Sequence, residues 1–328
     1  MLLSIFWVIG GLVLLGAGAN YLVEGASNIA KRIGVSDLII GMTVVSFGTS
    51  APELVVSVMA ALNGAGEIAL GNVIGSNTAN VGLILGVTAI VQPLRIRHNT
   101  IWKDIPFSFI GIIVVMLMAG DHQLDRSSSA VISRSDGLVL LCFFAVYLYY
   151  TFNIALKERP SLGEEWKERP LWLATFWVVG GLVALSYGGR LTVDGAVGIA
   201  RSLGVSEAII GLTLVAVGTS LPELATSVAA ALRGRADMAM GNVVGSNIFN
   251  TFFILGVSAV VAPLPIGKIS LIDFLVCLTA TFLMFAGGLV LKRQIMYRPK
   301  GWILLTLYVM YLLWLAWEAF AGAAGSGI

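Results

Sequence analysis

Apolar residues in this chain gather into ten runs of roughly bilayer length, at about 3–23, 38–62, 68–91, 104–120, 136–153, 171–191, 208–232, 238–261, 271–291 and 301–320. A helix needs about 20 predominantly apolar residues to cross the hydrocarbon core, so each run predicts a spanning helix. Some runs are broken by Gly, Pro, Ser or Thr. Five runs lie on each side of KERPSLGEEWKERP, residues 157–170, the one sizeable hydrophilic segment, which is too short to fold alone. The predicted organisation is a first five-helix half (1–156), a connector on the cytosolic side (157–170) and a second five-helix half (171–328). The first run has no basic segment before it and no evident cleavage site, so it reads as a span rather than a signal peptide. The final AGAAGSGI reads as a short flexible tail.

Composition agrees with lipid as the solvent. Of 328 residues, 58% are apolar and 12% charged, against about 25% charged in an ordinary soluble domain. The net charge of +2 and the lack of a basic cluster interleaved with aromatics exclude nucleic acid as a partner. Cys142 and Cys277 stand apart in apolar runs, and His98 and His122 in loops, so neither a disulfide framework nor a soft metal site is expected. Fifteen of the 20 Lys and Arg residues, Lys31, Arg97 and Arg235 among them, fall on one side of the ten-span count. Arg126, Arg134, Arg201 and Lys268 fall on the other, and Arg190 near a span end. The positive-inside rule then places the crowded side in the cytoplasm and both termini outside.

The chain also repeats itself. Residues 10–86 align with 180–256 at a constant offset of 170, without a gap and with about 42 of 77 positions identical. With five spans per half, the second copy enters the membrane from the opposite face. That predicts inverted repeats, the arrangement of secondary transporters that bind their cargo at the repeat interface.

Each copy carries a helix break followed by a carboxylate. Pro52 and Pro222 lack the N–H that would continue the helical ladder, and carbonyls freed in hydrocarbon must face protein, water or an ion. Glu53 and Glu223 follow directly, flanked by Thr49, Ser50, Thr219 and Ser220. A carboxylate at mid-membrane costs about 2.5–3.5 kcal/mol even on lenient insertion scales, and two at equivalent places point to a shared cation. The next span in each copy bears Asn72, Ser76 and Asn80, or Asn242, Ser246 and Asn250, which spacing by four sets on one stripe. Carboxylate, hydroxyl and amide oxygens are hard ligands suited to calcium and sodium. Gly71, Gly75, Gly241 and Gly245 are expected to serve close packing as well, and Asn77 and Asn247 to brace helices. For Ser57 and Ser227, back-bonding to the helix and ion contact stay open. Glu24 and Asp194, near predicted span ends, are expected at a pore mouth or in solvent.

The motifs GTSAPE at 48–53 with GNVIGSN at 71–77, and GTSLPE at 218–223 with GNVVGSN at 241–247, closely resemble the alpha-repeats of the bacterial and archaeal sodium/calcium exchanger family, within the calcium:cation antiporters. The resemblance implies a ten-helix, two-half membrane fold with a central ion cluster, in which the first and sixth helices slide against the rest. It implies ligands at Thr49, Ser50, Glu53, Ser76, Asn80, Thr219, Ser220, Glu223, Ser246 and Asn250, with carbonyls near Ser46 and Ala216 contributing. Implied function is sodium/calcium antiport, electrogenic if three sodium ions exchange for one calcium, in a prokaryotic plasma membrane. Transported Na⁺ and Ca²⁺ would be the only ligands, lipid the surroundings, with no cofactor, enzymatic activity or obligate protein partner. The potassium-dependent branch carries Asp where Asn250 stands, which argues against a potassium requirement. The GNxxE pattern of proton/calcium exchangers is absent, although proton coupling or another divalent cargo is the alternative reading.

Overall fold

The computed structural model describes residues 1–120, 130–157, 169–203, 216–267, 269–289 and 294–325. His122, Arg126, Lys268, most of the connector and the first part of the run at 208–232 lie outside them. Among the described residues the chain is helical almost throughout: α1 (Leu2–Ile33), α2 (Asp37–Thr49), α3 (Ala51–Leu62), α4 (Gly66–Val91), α5 (Thr100–Ala119), α6 (Arg134–Lys157), α7 (Leu171–Ser202), α8 (Leu221–Leu232), α9 (Ala236–Val261), α10 (Leu271–Leu289) and α11 (Arg298–Gly325). Eight of these are long and apolar enough to cross a membrane, and α2 with α3, bent by 47°, makes a ninth, broken span. The shorter α8 holds 12 residues. Two short antiparallel pairings tie the halves together: β1 (Leu94–Arg95) with β4 (Ile295–Met296), and β2 (Val131–Ile132) with β3 (Leu264–Pro265).

Two helices outrun their apolar stretches. α1 continues to Ile33 and α7 to Ser202, about three turns past the predicted ends at 23 and 191. Mean hydropathy falls there, but packing does not stop, since Ser27 and Asn28 in α1 are buried and Ser27 donates to Asp37 at 3.1 Å.

α1 and α7 pack antiparallel through glycine. A Cβ on Gly18 would lie 2.9 Å from the Gly181 carbonyl oxygen, and one on Gly188 would lie 2.8 Å from that of Gly11. Moved by 170 residues, Gly11 becomes Gly181 and Gly18 becomes Gly188, so the two close approaches are images of one another. Small residues let helices meet closely in a membrane, where dispersion rather than the hydrophobic effect drives association. Gly18→Leu is therefore expected to destabilise the protein by about 1–3 kcal/mol through overpacking. Gly10→Leu, at a position with open space around its Cβ, should leave stability unchanged. Thermal unfolding of the detergent-purified variants checks this.

At one end of the bundle, basic residues that the charge count assigns to one side meet acids from other helices. Arg97 pairs with Asp237 at 2.6 Å and Arg235 with Asp37 at 3.2 Å. Glu24 receives both Arg169 at 3.1 Å and Arg233 at 3.2 Å. Arg169 also stacks over Trp177, 4.2 Å from the ring centre. Glu24 is thus tied to two arginines from distant parts of the chain, whereas Asp194 is solvent-exposed and faces Arg190 one turn away.

Candidate functional site

The two broken helices bring their carboxylates to the middle of the molecule. Ser50 (φ −85°, ψ 6°) and Ser220 (φ −86°, ψ 1°) adopt the same turn before helices that carry Pro in their first turn. Pro52 and Pro222 have no N–H to offer the carbonyls of Gly48 and Gly218, four residues back, so the ladder opens at the same place in both copies. Glu53 and Glu223 emerge in the first turns of α3 and α8 and are each only 2% exposed. They lie near enough to repel one another.

Oxygen-bearing side chains of both copies surround them. The Ser50 hydroxyl donates to Glu223 Oε1 at 3.0 Å, crossing from one copy to the other. The Thr219 side chain stands against Glu53 from the opposite direction, and that of Thr49 against Glu223. The Thr49 hydroxyl also donates to Asn242 Oδ1 at 3.3 Å. From the long helices α4 and α9 come Ser76, Asn80, Ser246 and Asn250, all buried. Asn80 begins and Asn250 lies within π-helical stretches, Asn80–Leu85 and Phe249–Ile254; such insertions gather at functional sites. Glu53 Oε2, Glu223 Oε2, Ser220 Oγ, Ser246 Oγ and Asn250 Oδ1 are buried without hydrogen-bond partners. Buried polar groups are normally paired, so a carboxylate oxygen left unpaired on each of Glu53 and Glu223, with hydroxyls of the opposite copy against them, is suited to a cation.

The structure also gives work to residues whose roles were open. Asn72 donates to the Glu53 carbonyl at 3.3 Å and to Ser57 Oγ at 2.9 Å. Asn242 repeats this toward the Glu223 carbonyl at 3.4 Å and Ser227 Oγ at 2.9 Å. These asparagines clamp the break to the next helix, and Ser57 and Ser227 complete the clamp instead of bonding back along their own helix. Asn77 donates to Thr251 at 2.7 Å, bracing the two copies, whereas Asn247 accepts from Asn80 at 2.9 Å and so orients a candidate ligand. The Ser46 carbonyl accepts from the Ser50 backbone N–H at 3.0 Å. Against Gly241 and Gly245, α2 approaches so closely that a Cβ at either would fall within 2.7 Å of its backbone. Among the described residues no group of three His, Cys, Asp or Glu side chains converges as a metal centre, so the site is built from two carboxylates among neutral oxygens.

The sequence profile described as "Sodium/calcium exchanger protein" matches residues 3–153 and 173–317. The chain belongs to the sodium/calcium exchanger family. The putative antiporter CaxA of Alkalimonas amylolytica is 39% identical over 315 residues, 94% of this chain and 97% of that one. The sodium/calcium exchanger MaX1 of Methanosarcina acetivorans is 33% identical over 91% of this chain and 94% of its own. A solved structure of the sodium-calcium exchanger NCX_Mj, soaked with 2.5 mM Na⁺ and 0.1 mM Ca²⁺, superposes with a TM-score of 0.80 at 33% identity, over 95% of this chain and 98% of that one. Membership of this exchanger family makes the chain an integral membrane cation/calcium antiporter rather than an enzyme, with the transported ions as its ligands.

Proposed function

We propose that this exchanger couples sodium to calcium, and that its transport site consists of Thr49, Ser50, Glu53, Ser76, Asn80, Thr219, Ser220, Glu223, Ser246 and Asn250. The carrying observation is the pair of buried carboxylates, held by matching helix breaks among oxygens that lack other partners. Two carboxylates supply about −2, which one Ca²⁺ balances, whereas three Na⁺ leave about +1. Each ion set needs the same oxygens, so one must leave before the other binds, and the cycle moves net charge. Voltage then acts on it at about 2.3 kcal/mol per charge per 100 mV. With sodium entering down its gradient, calcium is expelled.

The working architecture is ten spans in two inverted halves, 1–156 and 171–328, joined by the cytosolic connector 157–170. Support comes from the 170-residue repeat, the antiparallel α1–α7 contact that maps onto itself, and the crosswise pairing of β1 with β4 and β2 with β3. The location is a prokaryotic plasma membrane with both termini outside, and no protein partner is required. Asn250, a neutral amide, leaves potassium without the extra charge it would need.

Proteoliposomes loaded with sodium test the coupling. Calcium uptake is expected when sodium is removed outside, faster with the interior held positive and absent without internal sodium. Uptake that follows a pH gradient and ignores sodium would replace this reading with proton/calcium exchange. Steady calcium flow without a counter-ion would identify a channel.

A further inference from the structure

The asparagines that close GNVIGSN and GNVVGSN, Asn77 and Asn247, both reach across to the opposite copy, but not in the same way. Asn247 Oδ1 accepts from Asn80 Nδ2 at 2.9 Å. Moved by 170 residues, that contact would join Asn250 Nδ2 to Asn77 Oδ1. It is not made, because Asn77 Oδ1 is buried with no partner, and so is Asn250 Oδ1. Asn77 donates instead from Nδ2 to the Thr251 hydroxyl at 2.7 Å.

One difference between the copies accounts for this. The residue 170 places before Thr251 is Val81, which has no hydroxyl to offer Asn247. Both positions are buried. Packing from α5 bears on which way Thr251 turns: a Cβ on Gly111 would stand 3.1 Å from Thr251 Cγ2. Because Gly111 carries no side chain, the methyl group has room on that side and the hydroxyl is left for Asn77. A buried amide takes a hydroxyl within reach, since a donor left unmet there is costly.

The two amides on the candidate stripes are therefore held unequally. Asn80 spends an N–H on Asn247, which fixes its amide plane and the direction of its oxygen. Asn250 lacks the matching anchor on Asn77. A count of charge separates the ions that would feel this. Glu53 and Glu223 balance one Ca²⁺, whereas the sodium ions proposed to replace it outnumber the carboxylates. At least one of those must lean on neutral oxygens.

We infer that Thr251 sets the sodium-to-calcium preference of the transport site, by engaging Asn77 and so leaving Asn250 as the adaptable amide opposite a fixed Asn80. Thr251 is a positioning residue in this scheme and acts through Asn77 and Asn250. The inference rests on the site and the sodium coupling proposed above. Anchoring a ligand before the ion arrives removes the cost of ordering it on binding, and the ion that depends on that ligand gains most.

Thr251→Val, which gives the second copy the residue of the first, tests this in the full chain. With the hydroxyl gone, Asn77 is released to accept from Asn250. The half-saturating sodium concentration should then fall about threefold to tenfold, while that for calcium changes by less than about twofold. Thr251→Ser keeps the hydroxyl and should match the wild type. Val81→Thr should act in reverse, drawing Asn247 from Asn80 and raising the sodium value by a similar factor; it decides should Thr251→Val not fold. Both values come from initial calcium uptake into proteoliposomes, with internal sodium or external calcium varied. A mere brace between helices would lower the melting temperature or the maximal rate and leave the ratio of the two values unchanged. That outcome overturns the inference, as does a sodium shift of the opposite sign or a calcium shift of equal size. Wild-type uptake that ignores sodium would instead sink the proposed coupling before any variant is compared.

Discussion

Glu223→Gln and Glu53→Gln are each expected to abolish calcium exchange while leaving a folded, inserted protein. Breaking a buried charge pair by removing one partner typically costs about 3–5 kcal/mol, or roughly a hundredfold to a few thousandfold in affinity. Glutamine keeps the shape and one oxygen but removes half the negative charge that would balance a divalent ion. Without ions the sign reverses. Two buried carboxylates close enough to repel oppose folding, so either glutamine variant should melt at the same temperature as the wild type or higher in the absence of calcium. Calcium should then raise the melting point of the wild type and not of the variants. Near-normal exchange by either variant, or an undiminished calcium-dependent shift, would remove the carboxylates from the transport site.

Much of this site was legible in the chain because lipid makes polar residues conspicuous. Proline followed by glutamate within an apolar run, repeated 170 residues later, has few structural excuses. Spacing by four then set Ser76 with Asn80, and Ser246 with Asn250, on one stripe of each following helix, and the structure buries all four. Direction within the amides was not legible. Asn72 and Asn242 sit on the same stripes as the candidate ligands, but they turn their nitrogens to the carbonyls of Glu53 and Glu223, which depends on the angle between two helices. The extensions of α1 and α7 were hidden for a related reason: hydropathy reports exposure to lipid, while Ser27, Asn28 and Glu24 find their partners on Asp37, on the helix itself, and on Arg169 and Arg233.

The repeat is not perfect, and the imperfection has mechanical meaning. Arg233, which ties α8 to Glu24 and Asn20 on α1, has Asn63 as its counterpart 170 residues earlier. Asp194, the counterpart of Glu24, finds only its own neighbour Arg190. If the halves exchange conformations as α1 and α7 slide, the arrangement in this structure carries an interhelical ion pair that the opposite arrangement lacks. Half-exposed pairs contribute about 0–1 kcal/mol each, enough to bias the two states but not to lock either.

Gly245→Ala is expected to reduce exchange about a hundredfold with every candidate ligand still in the chain. α9 lies against the π-helical part of α2, and a Cβ on Gly245 would stand 2.7 Å from both Met42 Cα and Ser46 Oγ and 2.8 Å from the Met42 carbonyl oxygen. Two of those three atoms are backbone, which cannot rotate away, so the helices must separate. Next to Gly245 is Ser246, about one turn further is Asn250, and about one turn earlier is Asn242, which clamps Glu223. A shift of α9 therefore moves oxygens supplied by the second copy relative to those on the broken helix of the first. Misplacement by about 1 Å can cost a hundredfold where geometry sets the rate. Gly180→Ala, where nothing lies within 4 Å of the Cβ position, is the control and should transport normally. The check is initial-rate calcium uptake in proteoliposomes, with gel filtration and ion-free melting to verify assembly. Full activity with wild-type half-saturation in Gly245→Ala would show that the spacing of α2 and α9 does not set the ion site.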